Sequence, residues 1–182
     1  AMLKVIIGFI AGIALLGIVG FNTAGSFMMV EHESPYGIEE TAARIQANIQ
    51  KLSHRGWTLS GLRDPSKAVA NSGRNVPPVL LVEACSTDYS GVLLADDQAR
   101  ILSILMPCTI TVFKKDDGKT YIGTMNSGLM GKLFGKKVAS VMSEVAKDQA
   151  EFLKFDPNEP SPPLIRVKPG GGGAGGPETA GC

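Results

Sequence analysis

The sequence predicts an α+β domain, a mostly antiparallel sheet with two principal helices packed on one face, preceded by a single transmembrane helix. Three observations predict it. Residues 5–30 hold 26 consecutive uncharged side chains. Beyond them, helix-like and strand-like apolar periodicities alternate along the chain. Near the middle, Asp117-Gly118 joins two short alternating segments, the signature of a β-hairpin. With 44% hydrophobic and 19% charged residues, the 182-residue chain is excluded from the disordered class. Eighteen basic against 17 acidic residues leave a net charge of +1, which gives no electrostatic footprint for nucleic acid.

As a helix, residues 5–30 reach roughly 39 Å, enough to cross a hydrocarbon core of about 30 Å. A signal peptide competes for the same residues, with Lys4 as its basic start and Ala24-Gly25-Ser26 as a small-residue cleavage site. The 17 apolar residues 5–21 are long for such a peptide, so residues 1–25 are expected to be an uncleaved anchor. Gly8 and Gly12 form a GxxxG step that lets a second helix approach closely, although glycine is also commoner in membrane helices generally. Lys4 precedes the anchor and no basic residue follows it until Arg44. The positive-inside tendency then makes this a single-pass protein of the inner (cytoplasmic) membrane, N-terminus cytoplasmic and domain periplasmic.

Residues 26–156 are expected to form the exported domain. Residues 27–31 suit a first strand, and Ser34-Pro35 suits a helix start. Ile38, Ala42, Ile45, Ile49 and Leu52 then trace one helical face, with Gly56 as its stop. Residues 57–62 alternate as a second strand, with Trp57, Leu59 and Gly61 on one side. Residues 64–76 are polar and rich in breakers, and Pro77-Pro78 introduces a third strand at 79–85. A short helix is expected within 88–98, then the hairpin strands 107–114 and 120–124. Met130, Phe134, Val138, Val141, Val145 and Phe152 predict one long final helix over about 127–155. Residues 157–182 form a Pro/Gly-rich extended tail.

The run Ser34-Pro35, Glu39-Glu40-Thr41, Gly56-Trp57-Thr58, residues 77–82, Pro107 and Asp116-Asp117-Gly118-Lys119 resembles a small bacterial and archaeal family known as domain of unknown function 302. The resemblance covers about residues 27–153. It implies a compact α+β domain without an established catalytic constellation.

The chain carries no phosphate-binding GxxxxGK[ST] loop, no HExxH and no GxSxG. His32 and His54 are its two histidines; both suit solvated positions, His54 at a helix end where cations are favoured. The pairs Glu39/Glu40, Asp96/Asp97 and Asp116/Asp117 suit a helix start and turns rather than acid–base chemistry. No catalytic residue, metal site or cofactor is therefore expected. Cys85 and Cys108 end and begin predicted strands, so two readings stand: a disulfide closing the loop between them, or two buried thiols. A soft-metal set drawing on Met28, Met29, Met125 or His32 is a third arrangement. Cys182 sits in the tail without an assigned role. Lys132, Lys136 and Lys137 suit a solvated helix face, or contact with anionic lipid or an acidic partner.

Two functional classes follow. The first is a non-catalytic accessory subunit of a larger integral membrane complex, respiratory or photosynthetic, with the lipid bilayer as its other partner. The alternative is a membrane-tethered periplasmic module binding haem, a soft metal or a small apolar ligand.

Overall fold

The computed structural model describes residues 2–166. Helix α1 (Met2–Met28) runs two turns beyond the expected anchor core, and none of its residues is buried. It passes without a linker into strand β1 (Met29–Ser34). Strand pairing claims Met29 as the partner of Met125, so residues 27 and 28 stay with the helix and the expected strand shifts C-terminally.

Four further strands, β2 (Trp57–Arg63), β3 (Val79–Ser86), β4 (Cys108–Lys114) and β5 (Thr120–Met125), complete one sheet in the order β1-β5-β4-β3-β2. Every neighbouring pair is antiparallel. Helix α2 (Ile38–Lys51) lies across β2–β4, and α6 (Lys136–Phe152) packs beside it. Ala42, Ile45, Ile49, Val82, Ile110, Val112 and Phe152 are completely enclosed between these layers. Trp57 meets Phe152 edge-on at 4.9 Å, a geometry that adds about 1 kcal/mol to the area buried.

Several boundaries differ from expectation. Ser34 does not cap the helix; its pairing with Thr120 keeps it extended, and its Oγ lies 2.6 Å from Thr41 Oγ1 while Gly37 takes the cap position. After Lys51 the chain tightens into a 3-10 turn, Ser53–Arg55, which ends at Gly56 with φ 73°. A bulge between Leu59 and Gly61 inserts one residue, so Gly61 pairs with Glu83 and leaves the face shared by Trp57 and Leu59. The polar stretch after β2 holds a short helix α3 (Pro65–Ala70), started by Asp64, whose side chain accepts the Lys67 amide, and by proline in the first turn. Helix α4 (Thr87–Leu94) is shorter than expected and a 3-10 turn, Arg100–Leu105, follows it.

The largest difference is the final helix. It is two helices, α5 (Ser127–Lys132) and α6, separated at Gly135. Gly135 has φ 90°, a region open to glycine and costly for other residues. Apolar periodicity in the sequence runs across this break, but α5 buries only Ser127 and Gly131, packing Gly131 against Ala139 and Met142 of α6, and Phe134 is exposed.

Residues 157–166 lack regular structure but follow α2. Gln46 Nε2 donates to Ile165 O at 2.8 Å and its Oε1 accepts from Ile165 N at 2.9 Å. Arg44 donates to the carbonyls of Asp156 and Glu159, and Leu164 packs on the core. The opening of the tail thus belongs to the domain; the glycine-rich remainder and Cys182 lie outside the described residues.

Candidate functional site

A partly open cavity of about 40 Å³ lies where the ends of β3, β4 and β5 meet α4, the Arg100–Leu105 turn and α6. Trp57, Leu93, Leu102, Met106, Cys108 and Met142 are among its walls. A water needs roughly 10–15 Å³ measured this way, so the cavity has space for a molecule of a few heavy atoms. Its lining is almost wholly apolar and rich in polarizable sulfur.

A buried polar cluster borders it. Asp148, in the C-terminal half of α6, is fully enclosed. Its Oδ2 accepts from Trp57 Nε1 at 2.8 Å and from the Tyr89 hydroxyl at 2.9 Å. Its Oδ1 faces Arg55 Nη1 at 2.5 Å as an ion pair. Arg55 also donates to the Tyr89 hydroxyl at 2.6 Å and to Glu144 at 3.2 Å. Burial raises the Tyr89 pKa above an ordinary phenol's; the bond to Asp148 and its charge add to the rise, and Arg55 opposes it. The cluster ties β2, α4 and α6 together around the cavity wall. It also compensates the charge of Asp148 in place, as a buried carboxylate requires.

Of the two readings for Cys85 and Cys108, a disulfide between them is not formed. The ladder sets Cys108 opposite Ala84, whereas Cys85, the next residue, is opposite Thr58 on the other neighbour. Cys85 Sγ lies 3.2 Å from Ser90 Oγ, and Cys108 is a free thiol. Burial pushes the Cys108 thiol from 9.0 to about 11, so it stays protonated at neutral pH and is a poor nucleophile.

The residues of the soft-metal reading lie along one edge of the sheet: Met125 pairs with Met29 and shares a pocket with His32. Met125 reaches the cavity, while Met29 and His32 are exposed along β1. Among the described residues no group of three or more His, Cys, Asp or Glu side chains stands close enough to hold a metal ion. The acidic pairs occupy local positions: Glu39 and Glu40 in the first turn of α2, Asp96 accepting from the Gln98 and Ala99 amides, and Asp117 from the Lys119 amide.

A second feature is an unpartnered surface. Among the described residues no element covers the sheet face opposite α2 and α6 around β4, β5 and β1, where a groove of about 800 Å³ runs from Ser26 and Met29 past Phe113 to Ile104 and Met106, with Glu31, Thr109, Thr111 and the Arg63–Glu83 pair also along it. Ile104 is 83% exposed, and Phe27 and Met29 are each more than 60% exposed. At Gly8 and Gly12 an added Cβ would meet nothing within 4 Å, so the small-residue face of α1 has no neighbour within the described chain.

The family model for the domain of unknown function DUF302 matches residues 30–155. The chain belongs to the DUF302 family. A crystal structure of an uncharacterized conserved DUF302 protein from Bacillus stearothermophilus has the same fold, with a TM-score of 0.60 and 17% sequence identity. The match covers 69% of this chain and 95% of that one. No curated protein sequence matches. The DUF302 domain accounts for the sheet and its helices; α1 precedes it, and it is the one described helix long and apolar enough to cross a membrane.

The Arg55–Tyr89–Asp148 cluster is the part of the site that sequence reasoning missed. One signal was available: on the stripe Val138, Val141, Val145, Phe152, the next inward position after Val145 is Asp148. A charge on the buried stripe of a helix implies a buried partner.

Proposed function

We propose that the protein is a non-catalytic accessory subunit of a larger membrane protein complex, respiratory or photosynthetic, with α1 crossing the cytoplasmic membrane. The N-terminus is then cytoplasmic, and the DUF302 domain stands on the periplasmic face. The observation that carries this reading is the continuity of unpartnered apolar surface from α1 onto the open sheet face, through Gly8, Gly12, Phe27, Met29 and Ile104. Lipid would cover α1, but the groove lies beyond the helix, where an apolar patch in water favours a protein neighbour. A partner that packs against Gly8 and Gly12 and continues out of the bilayer covers both.

Purification from native membranes in mild detergent tests this. Replacing Gly8→Leu and Gly12→Leu together is expected to reduce recovery of co-purifying membrane proteins at least several-fold, with the chain still membrane-integral. Wild-type recovery from the double variant would sink the proposal.

The cavity favours a second reading, a small apolar ligand. At about 40 Å³ it is far too small for haem as it stands. Xenon titration followed by NMR is expected to perturb methyl groups of Leu93, Leu102 and Met142 first. Uniform or absent perturbation removes this reading.

A further inference from the structure

We propose that the corner between α5 and α6 is a second membrane contact, seated on an anionic phospholipid surface beside the exit of α1. The inference rests on α1 crossing the bilayer, and not on the identity of any protein partner.

Residues 132–137, Lys-Leu-Phe-Gly-Lys-Lys, are all exposed. Leu133 is 64% and Phe134 47% exposed, at the one place where the final apolar stripe leaves the core. Lys132 and Lys136 form no ion pair among the described residues, whereas Lys137 holds Asp96 at 2.8 Å and neutralises that carboxylate. Lys132 and Lys136 also flank an open groove of about 720 Å³ between α5 and α6, to which Asn126, Ser140 and Ser143 add polar groups. Two apolar tips flanked by uncompensated lysines suit a membrane interface, where the tips enter the acyl boundary and the ammonium groups meet phosphates.

Position supplies the independent argument. Asn126 joins the corner to the end of α1, its amide donating to Met28 O at 2.8 Å and its Nδ2 to Phe27 O at 3.1 Å. The Asn126 Oδ1 accepts from Leu129 N at 3.1 Å and so starts α5 at that exit. Leu133 and Phe134 follow the Asn126 latch by seven and eight residues, about 10–12 Å at helical rise, which places them one short helix from the end of the membrane helix. A helix of 27 residues is about 40 Å long and exceeds a 30 Å hydrocarbon core by about 5 Å at each end. The exit of α1 therefore lies at headgroup depth, and the corner is one short helix away from it. A like position for a neutral or acidic corner would gain nothing; each lysine close to an anionic surface strengthens association about five-fold.

The test uses the full chain reconstituted into vesicles of phosphatidylglycerol with phosphatidylcholine, or of phosphatidylcholine alone, doped with lipids brominated near the headgroup end. The F134W variant reports the corner, and wild-type protein supplies the signal of buried Trp57. In phosphatidylglycerol vesicles F134W is expected to emit at shorter wavelength than in detergent and to be quenched, with Trp57 unquenched. Adding K132Q and K136Q is expected to lower the ratio of seated to free corner about 25-fold, and phosphatidylcholine vesicles to lower it comparably. Quenching of F134W no greater than that of Trp57, or equal in both vesicles and insensitive to K132Q/K136Q, overturns the proposal. Carbonate extraction of the same vesicles reports α1 separately: loss of the chain overturns the anchor and the subunit reading with it, whereas a retained chain with an unquenched F134W overturns the lipid-facing corner alone.

Discussion

Helix α1 carries apolar side chains around its whole circumference and buries none of them, whereas α2 carries them on one stripe and encloses Ala42, Ile45 and Ile49 completely. The polar side chains of the two helices differ in the same way. In α1, Asn22 and Thr23 donate to the carbonyls of Ile18 and Val19 one turn back, so their demand is met within the helix. In α2, Gln46 and Asn48 reach across to backbone groups of Ile165, Phe152 and Lys154. One-sided apolarity finds its cover inside the chain; apolarity on all sides requires cover from outside it.

The strongest way to break this contrast is to truncate one phenylalanine on each side of it. Phe152→Ala, on α6 in the enclosed layer, is expected to destabilise the domain by about 4 kcal/mol, combining lost transfer energy and the cavity left behind. Phe9→Ala in α1 is expected to leave the denaturation midpoint of the domain unchanged. Urea unfolding of the full chain in detergent, followed by Trp57 fluorescence, measures both. A comparable loss in the two variants would mean that α1 is part of the folded core.

A slightly smaller effect sharpens the polar side of the comparison. Asp148→Ala strips the acceptor from Trp57, Tyr89 and Arg55 together and is expected to cost about 3 kcal/mol, as breaking a buried pair does. Asn22→Ala, which removes a bond internal to an exposed helix, is expected to stay within about 0.5 kcal/mol. The smallest effect is a pH dependence at Cys108. Its folded pKa, about 11, lies above the unfolded 9.0, so the stability it contributes is complete below pH 9 and is lost as pH rises through 11. The denaturation midpoint of wild type is expected to fall over that window more than that of Cys108→Ala, and iodoacetamide to modify the native thiol only slowly at pH 8.

The stripe Ile38, Ala42, Ile45, Ile49 was legible because these apolar positions recur at helical spacing, and the hairpin because Asp117-Gly118 admits few other backbones. The division of the last helix was not, since a stripe records which side is buried and is silent on whether the axis is continuous. Gly135 was the local sign. The bulge beside Ser60 escaped for a related reason: alternation assumes one residue per pleat, and an inserted residue inverts every face after it. Of the candidate site, the separate residues Trp57 and Cys108 were visible, but not their meeting with Tyr89 and Asp148, which depends on pairings between segments up to 91 residues apart.

The junction at Met28 and Met29 has a mechanical consequence. No linker separates α1 from β1, and Asn126 latches the last turn by two hydrogen bonds. A helix seated in lipid tilts by about 20° on average, more in a thin bilayer and less in a thick one. A flexible joint would absorb that tilt. Here the sheet turns with the helix, as the long arm of a crank turns with its shaft, and the end of the domain farthest from the membrane sweeps through the widest arc. With α1 seated in lipid as proposed, bilayer thickness would set the angle at which the domain stands from the membrane. Inserting a few glycines after Met28 would disengage the crank and leave that angle to chance.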